Sequence, residues 1–342
     1  MDEKEIVLSA ISGATLMELD FVPQEFVVRG LLPQGLSILG GAPKIGKSWL
    51  MLELALRVAK GEPMWGMETK QGTVLYLCLE DTYQRIQQRL YCLTDNVPGN
   101  LLFSCTASTL ETDLEAELLQ YLRKYPDIVL IIIDTLQMVR GSKTDPNYGN
   151  DYDDMQKFKR ITDSQKVSIL LVHHLRKMGD RDPLNRLSGS TGLSGSADCN
   201  YILDKSARLE DVATLTCTGR DIQDRELELR FDKTNCVWNV ISDSAEDETK
   251  KLPPEMIAFI DFVKATVHYE GSNTRLAELF ASHSGHTMSA KVLKQKMNRW
   301  RLPLSDLGVT FSSREVHSGK IVTVQYTPPV SHASQVSQKI AS

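Results

Sequence analysis

"LSILGGAPKIGKSWLMLELALRVA" (residues 36–59) joins an apolar, strand-like run to a helical pattern through a loop that fits G-x-x-x-x-G-K-[ST]. Gly41, Gly46, Lys47 and Ser48 occupy its fixed positions. Bare backbone at the mouth of a helix lets successive N–H groups wrap phosphate oxygens, and the helix turns the positive end of its dipole toward them. The lysine of such a loop reaches the β- and γ-phosphates, and the hydroxyl beside it holds Mg²⁺. A strand before and a helix after are the context the motif requires. Residues Gly41, Ala42, Pro43, Lys44, Ile45, Gly46, Lys47, Ser48 and Trp49 are therefore the predicted cradle of a nucleoside triphosphate.

Outward from this loop, strands and helices alternate. Strand-like runs are "LSILGG" (36–41), "TVLYLCLE" (73–80), "IVLIIID" (128–134) and "VSILLVHH" (167–174), with helical patterns at roughly 48–60, 82–93, 112–124 and 150–165. Near-continuous apolar strands separated by amphipathic helices predict an α/β fold, a mostly parallel sheet covered on both faces. From residue 198 the runs "NYILDK", "VATLTCTG", "LELRFD" and "CVWNVI" follow one another without helices, which predicts antiparallel strands finishing the same sheet. The polar "SDSAEDETKKLPP" (242–254) reads as a linker. The expected order is an arm (1–30), an α/β domain (31–241), a linker (242–253), a small domain (254–330) and a frayed tail (331–342).

At 342 residues, with 42% hydrophobic and 24% charged residues, the chain has material for two folded domains. No apolar run approaches the ~18 residues of a membrane span. The opening "MDEKEIVLSA" has acids where a secretion signal has bases, so a cytoplasmic location is expected. Cys78, Cys92, Cys105, Cys199, Cys217 and Cys236 form no C-x-x-C pair and read as free thiols in a reducing compartment. The net charge of −5 is unevenly spread. Residues 253–330 carry nine Lys/Arg against six Asp/Glu, whereas residues 1–252 carry twenty-nine against thirty-eight. A basic module beside an acidic one points to a polyanionic partner.

Three further strand ends carry candidate chemistry. Asp134 closes "IIIDT", where an aspartate holds Mg²⁺ beside a phosphate loop. Glu80 closes the strand expected next to the phosphate-loop strand and can deprotonate an attacking water. His173 and His174 end "VSILLVHH", from which an imidazole can touch the γ-phosphate; which of the two does so stays open. Arg220, in "TCTGRDI", could supply transition-state charge to a neighbouring site.

The ordered set "GAPKIGKSWL", "LYLCLED", "IIIDTL", "LVHHLRK", "SGSTGLSGSAD" and "TCTGRDIQDRELELRFD" resembles the RecA-type ATPases over about residues 20–240. More narrowly it is similar to the RepA-like ATPases and helicases of plasmids, phages and mobile elements, relatives of the DnaB-type helicases. The resemblance implies ATP and Mg²⁺ as cofactors, with Lys47 and Ser48 on phosphate and metal and Asp134 as Walker-B acid. It further implies Glu80 as catalytic carboxylate, His174 as γ-phosphate sensor and Arg220 as an arginine finger acting in trans. It implies a homo-oligomeric ring, commonly a hexamer, with single-stranded DNA in its channel. Loops 139–154 and 177–196 are the candidates to face that channel, the second through Lys177, Arg181 and Arg186. Two features depart from the DnaB pattern: Thr218 stands where a lysine precedes the finger, and only a short arm precedes the ATPase domain.

The basic module has its own pattern. "PEMIAFIDFVKATVHY" places apolar residues at 256, 257, 260, 263 and 267, a helical stripe. "NTRLAELFAS" predicts a second helix and "SAKVLKQKMNRWRL" a third. Val292, Leu293, Met297 and Trp300 of that third helix are expected mostly inward, with Lys291, Lys294, Lys296, Arg299 and Arg301 outward. "GVTFSSREVHSGKIVTVQYTP" predicts a hairpin. Three helices and a hairpin match the winged-helix arrangement, whose third helix can enter the major groove of duplex DNA through Lys291, Lys294, Arg299 and Arg301. The leading expectation is a DNA-stimulated ATPase, a ring helicase or replication protein of a mobile element. The alternative is an ATP-switched DNA-binding regulator or recombinase-like filament. A small-molecule kinase would fit the phosphate loop but not the basic module.

Overall fold

The computed structural model describes residues 10–19, 21–141, 148–175, 192–205, 207, 210–245, 251–316 and 319–328. They form two compact units, Gln24–Ala245 and a second unit drawn from the segments on either side of it in sequence. The short helix α1 (Gly13–Glu18) belongs to the second unit.

The large unit opens with a ribbon of β1 (Phe26–Val28) and β2 (Leu32–Pro33). Its main body runs β3 (Gly35–Gly41), α2 (Lys47–Lys60), β4 (Thr73–Cys78), α3 (Tyr83–Leu93), β5 (Leu101–Ser104), α4 (Leu114–Lys124) and β6 (Ile128–Asp134). It continues through α5 (Leu136–Val139), α6 (Tyr148–Gln165), β7 (Ser168–His174), α7 (Gly192–Ser196), β8 (Cys199–Asp204), β9 (Val212–Gly219), β10 (Arg225–Asp232) and β11 (Val237–Asp243). The nine main-body strands make one sheet in the order β11-β10-β9-β8-β3-β7-β6-β4-β5.

Burial explains the continuous apolar strands. Along β6, Leu130 and Ile132 join the apolar cluster on one face, with Leu50, Leu54 and Val58 of α2. Ile131 and Ile133 join the cluster on the other, with Leu118 of α4 and Phe158 and Ile161 of α6. A strand buried on both sides alternates between two cores, so its sequence shows no polar alternation.

Three expectations need correction. The run ending in Glu80 is not next to the phosphate-loop strand: β7 and β6 lie between β4 and β3. That run also stops being a strand at Cys78, which leaves Glu80 in the turn that follows. "NYILDK" does not begin an antiparallel series. β8 pairs parallel with β3, because α6, β7 and the chain after it return it in the same direction, and the reversal starts at β9. β5 matches none of the strand-like runs above because only four residues form it.

The second unit contains α8 (Pro254–Thr266), β12 (His268–Gly271), α9 (Asn273–Ser284), α10 (Ala290–Arg299), α11 (Arg301–Asp306), β13 (Val309–Val316) and β14 (Gly319–Tyr326). Its sheet is antiparallel in the order β12-β14-β13. The core joins the rings of Phe259, Phe262 and Phe280 to Leu276, Leu293, Met297 and Val324. The expected stripe on the first helix is too broad. Ile257, on the first turn, lies off the buried face and is 50% exposed; Val267 is 56% exposed because the helix ends at Thr266 and the chain then leaves as β12. Val292 is likewise exposed. No helix among the described residues is long and apolar enough to cross a membrane.

Candidate functional site

The phosphate loop leaves the buried end of β3 and re-enters order at α2, whose cap is Gly46 at φ 109°. This glycine is required on two counts. Its backbone is in the left-handed region, and a Cβ there would lie 2.8 Å from Cζ2 of Trp238. A Cβ on Gly41 would press on the Leu203 carbonyl and on Cδ of Lys47, each at 3.0 Å.

Lys47, on the first turn of α2, folds back under the loop. Its Nζ donates to the carbonyls of Gly41 (2.8 Å) and Ala42 (3.0 Å) and meets His174 Nδ1 at 3.2 Å. An ammonium has only donors, so Nδ1 accepts and the ring carries its proton on Nε2. That nitrogen faces Glu80 Oε2 at 3.6 Å. Burial pulls the Lys47 ammonium down to about 8, against the opposing pull of Asp134 and Glu80. A buried cation held by neutral carbonyls and an imidazole is a site for an anion.

Asp134, at the end of β6, receives hydrogen bonds on one oxygen from Ser48 Oγ (2.9 Å) and from the Tyr76 hydroxyl (3.0 Å). Burial raises its carboxyl, while the bonds from Ser48 and Tyr76 and the charge of Lys47 hold it down. A serine hydroxyl beside one carboxylate oxygen is a hard-oxygen donor pair that suits Mg²⁺, which takes few protein ligands and completes its shell with phosphate and water. Groups of three or more His, Cys, Asp and Glu able to hold a metal do not occur among the described residues. The residues present fit Mg²⁺ held together with a phosphate chain.

Glu80 is half exposed, and Thr135 Oγ1 donates to its Oε1 at 2.8 Å. Glu80, Lys47, Ser48, Tyr76, Asp134 and His174 line a cavity of about 520 Å³. Its far wall is α3, where Arg85 (3.0 Å) and Arg89 (2.6 Å) both bind Asp81, and Arg89 lies over the Trp49 ring.

The structure thus brings together Gly46, Lys47, Ser48, Trp49, Glu80, Asp134 and His174 around one cavity, with Lys44 on its rim. Ala42 lends its carbonyl, while Pro43 and Ile45 shape the loop without lining the cavity. His173 lies apart from it. It is half-buried beside Arg140, its Nδ1 has no hydrogen-bond partner among the described residues, and burial followed by the charge of Arg140 lowers its pKa to about 4. Arg140 itself is held by Asp151 and by Asp154 at 2.8 Å.

Arg220 is far from its own chain's phosphate loop. Gly219 pairs with Cys199, which is level with Ser37, four residues and ~13 Å before Gly41 along the strand. The Arg220 guanidinium is mostly exposed, 3.7 Å from Asp198. Lys177, Arg181 and Arg186 lie outside the described residues. In the second unit Lys291 and Arg299 are exposed on α10, and Lys294 is half-buried there. The third helix is shorter than expected: it ends at Arg299, and Arg301 begins α11, stacked on Phe311 at 4.0 Å and bonded to the Phe311 carbonyl and Asn298. Lys296 pairs with Glu255 at 2.6 Å.

Several site residues gave no signal in the sequence. Tyr76 is one apolar-looking residue in an apolar strand, and Thr135 beside Asp134 holds no motif position. Arg85 and Arg89 offered the one usable clue, a four-residue spacing that puts both on one face of α3, four and eight residues beyond Asp81.

The chain is similar to several known proteins. The AAA domain family matches residues 14–180. DNA repair protein RadA of Campylobacter jejuni is 29% identical over 154 residues, 44% of this chain and 30% of that protein. RadA of Chlamydia pneumoniae is 30% identical over 161 residues (45% and 30%), and RadA of Escherichia coli 26% over 184 (52% and 34%). The chain therefore spans about a third of the length of these relatives. Among solved structures, a KaiC-like protein from Pyrococcus horikoshii aligns over 63% of this chain and 94% of its own, at 10% identity and a TM-score of 0.47. The phosphate loop and the AAA and RadA matches support a RecA-type P-loop ATPase domain for the large unit.

Proposed function

We propose that this protein is a Mg²⁺-dependent ATPase whose turnover is coupled to DNA, acting as a homo-oligomeric ring. The observation that carries the ATPase reading is the convergence of Lys47, Ser48, Asp134, Glu80 and His174 on one cavity. In this reading Lys47 leaves the loop carbonyls for the β- and γ-phosphates of ATP. Ser48 and Asp134 hold Mg²⁺, which when bound neutralises charge on those phosphates. Glu80, oriented by Thr135, takes the proton of the attacking water. His174 sits between Lys47 and Glu80, so loss of the γ-phosphate changes both of its neighbours at once.

DNA enters on two supports. The curated relatives are DNA repair proteins by name. From α8 the second unit runs helix–strand–helix–helix, then the short extra helix α11, then strand–strand; apart from α11 this is the order of a winged helix, with Lys291, Lys294 and Arg299 on its third helix. Arg301, engaged with Phe311, is the weaker contact. A ring helicase of a mobile element is the specific form we favour. An ATP-switched regulator or filament uses the same site, and Thr218 in place of a lysine before Arg220 favours that second form.

The test is ATP turnover with and without single-stranded DNA, followed by unwinding of a forked duplex. Stimulation of several-fold or more with strand separation supports the helicase, and stimulation alone the switch. Turnover indifferent to DNA, with phosphate transferred to a small acceptor, would overturn the DNA-coupled reading.

A further inference from the structure

Lys44 belongs to the predicted phosphate cradle, but its side chain has been given no role of its own, and its place is unusual. It lies in the phosphate loop at φ 65°, a left-handed conformation that glycine adopts freely and other residues resist. Asn or Asp can ease that strain with a local hydrogen bond from a short side chain. Lysine cannot. Its side chain is exposed on the rim of the ATP cavity and makes no hydrogen bond or ion pair with any described residue.

The other cations lining the cavity are engaged. Lys47 is held by two carbonyls and His174, and Arg85 and Arg89 share the one carboxylate of Asp81. These three cations face three carboxylates, those of Glu80, Asp81 and Asp134. Lys44 is therefore the charge that turns a balanced cavity into a net positive one. A nucleoside triphosphate remains an anion after Mg²⁺ binds, and it carries more charge than a diphosphate, so one uncommitted ammonium attracts it more strongly.

We propose that Lys44 is a second phosphate-contacting cation of the loop, whose ammonium meets the phosphate chain of the bound nucleotide and favours triphosphate over diphosphate. The inference rests on the ATP-site reading of that loop.

The test compares Lys44→Gly, Lys44→Arg, Lys47→Ala and the unmodified full chain. Calorimetry reads affinity for a non-hydrolysable ATP analogue and for ADP, each with Mg²⁺, at low and high salt. Lys44→Gly relieves the backbone while removing the charge, so its melting temperature should not fall. It should bind the ATP analogue about tenfold more weakly, lose less than threefold for ADP, and depend less on salt. Lys44→Arg should stay within about threefold of the unmodified chain for both ligands. If Lys44→Gly binds both nucleotides normally while Lys47→Ala loses them, the Lys44 inference fails and the ATP site stands. If the unmodified chain binds neither nucleotide, or Lys47→Ala binds both normally, the ATP-site reading fails and takes Lys44 with it.

Discussion

Lys47 can serve a phosphate only as an ammonium, and burial lowers its pKa to about 8 in the free protein. A bound polyphosphate favours the charged form, so the bound complex holds that proton more tightly than the free site. The sign follows from linkage. At pH 6.5 the free lysine is already charged and binding takes up almost no proton. At pH 8 uptake should reach about half a proton, and near pH 9.5 almost one. Above pH 8 the affinity for ATP should fall by up to about tenfold per pH unit until the bound complex itself titrates. Calorimetry in two buffers of different ionisation enthalpy measures the uptake directly, and pH-independent binding from 7 to 9.5 would contradict it. The residues of this site were unequally legible. Lys47 and Ser48 stand at fixed places in a motif, and Asp134 closes an apolar run. Tyr76, which shares the Asp134 carboxylate with Ser48, sits in a strand buried on both faces, where a tyrosine reads as packing.

At the scale of elements, the phosphate loop is braced by β11, the edge strand remote in sequence from it. Trp238 is 1% exposed, and its Nε1 donates to the Gly46 carbonyl at 3.3 Å. Its backbone N–H donates to the buried carboxylate of Glu53 on α2 at 3.1 Å, and its carbonyl accepts from Trp65 Nε1 at 2.6 Å. The indole thus fixes the loop where it becomes a helix. Trp238→Ala should cost about 3–5 kcal/mol of stability through the cavity it leaves. Trp238→Phe keeps most of the packing and loses one neutral hydrogen bond, about 1 kcal/mol. Both should weaken ATP binding, the first more, as read by denaturant melts and nucleotide titrations. Unchanged ATP affinity in a folded Trp238→Ala protein would show that the brace has no effect on the loop. No sequence pattern links residue 238 to residue 46, because the link passes through strand order. The alternation of strand and helix was readable because apolar runs and amphipathic stretches differ in period. The order in which strands pair, and the parallel placement of β8, depend on crossovers that periodicity does not encode.

At the scale of the whole molecule, Arg220 and the phosphate loop of the same chain lie toward opposite ends of the sheet. Any help Arg220 gives to hydrolysis must go to another copy. Arg220→Ala should then bind ATP normally and hydrolyse it at least ~10³-fold more slowly. Mixed with the equally inactive Lys47→Ala protein, it should recover activity, because some interfaces pair an intact loop with an intact arginine. Fluorescence transfer between labelled chains establishes that subunits exchange; exchange without recovered activity would exclude Arg220 from a shared site. An arginine after a strand hints at such a partnership in the sequence and the family resemblance specifies it, since one chain's contacts do not contain it. In the proposed function the loop binds ATP and a separate carboxylate, that of Glu80, drives its hydrolysis. The direct measurement is Glu80→Gln, assayed in parallel for ATP affinity with Mg²⁺ and for single-turnover hydrolysis. Affinity should stay within a few-fold of the unmodified chain while the hydrolysis rate falls about 10²–10⁴-fold. Lost affinity with hydrolysis unslowed would make Glu80 a structural residue and contradict the assignment of the site.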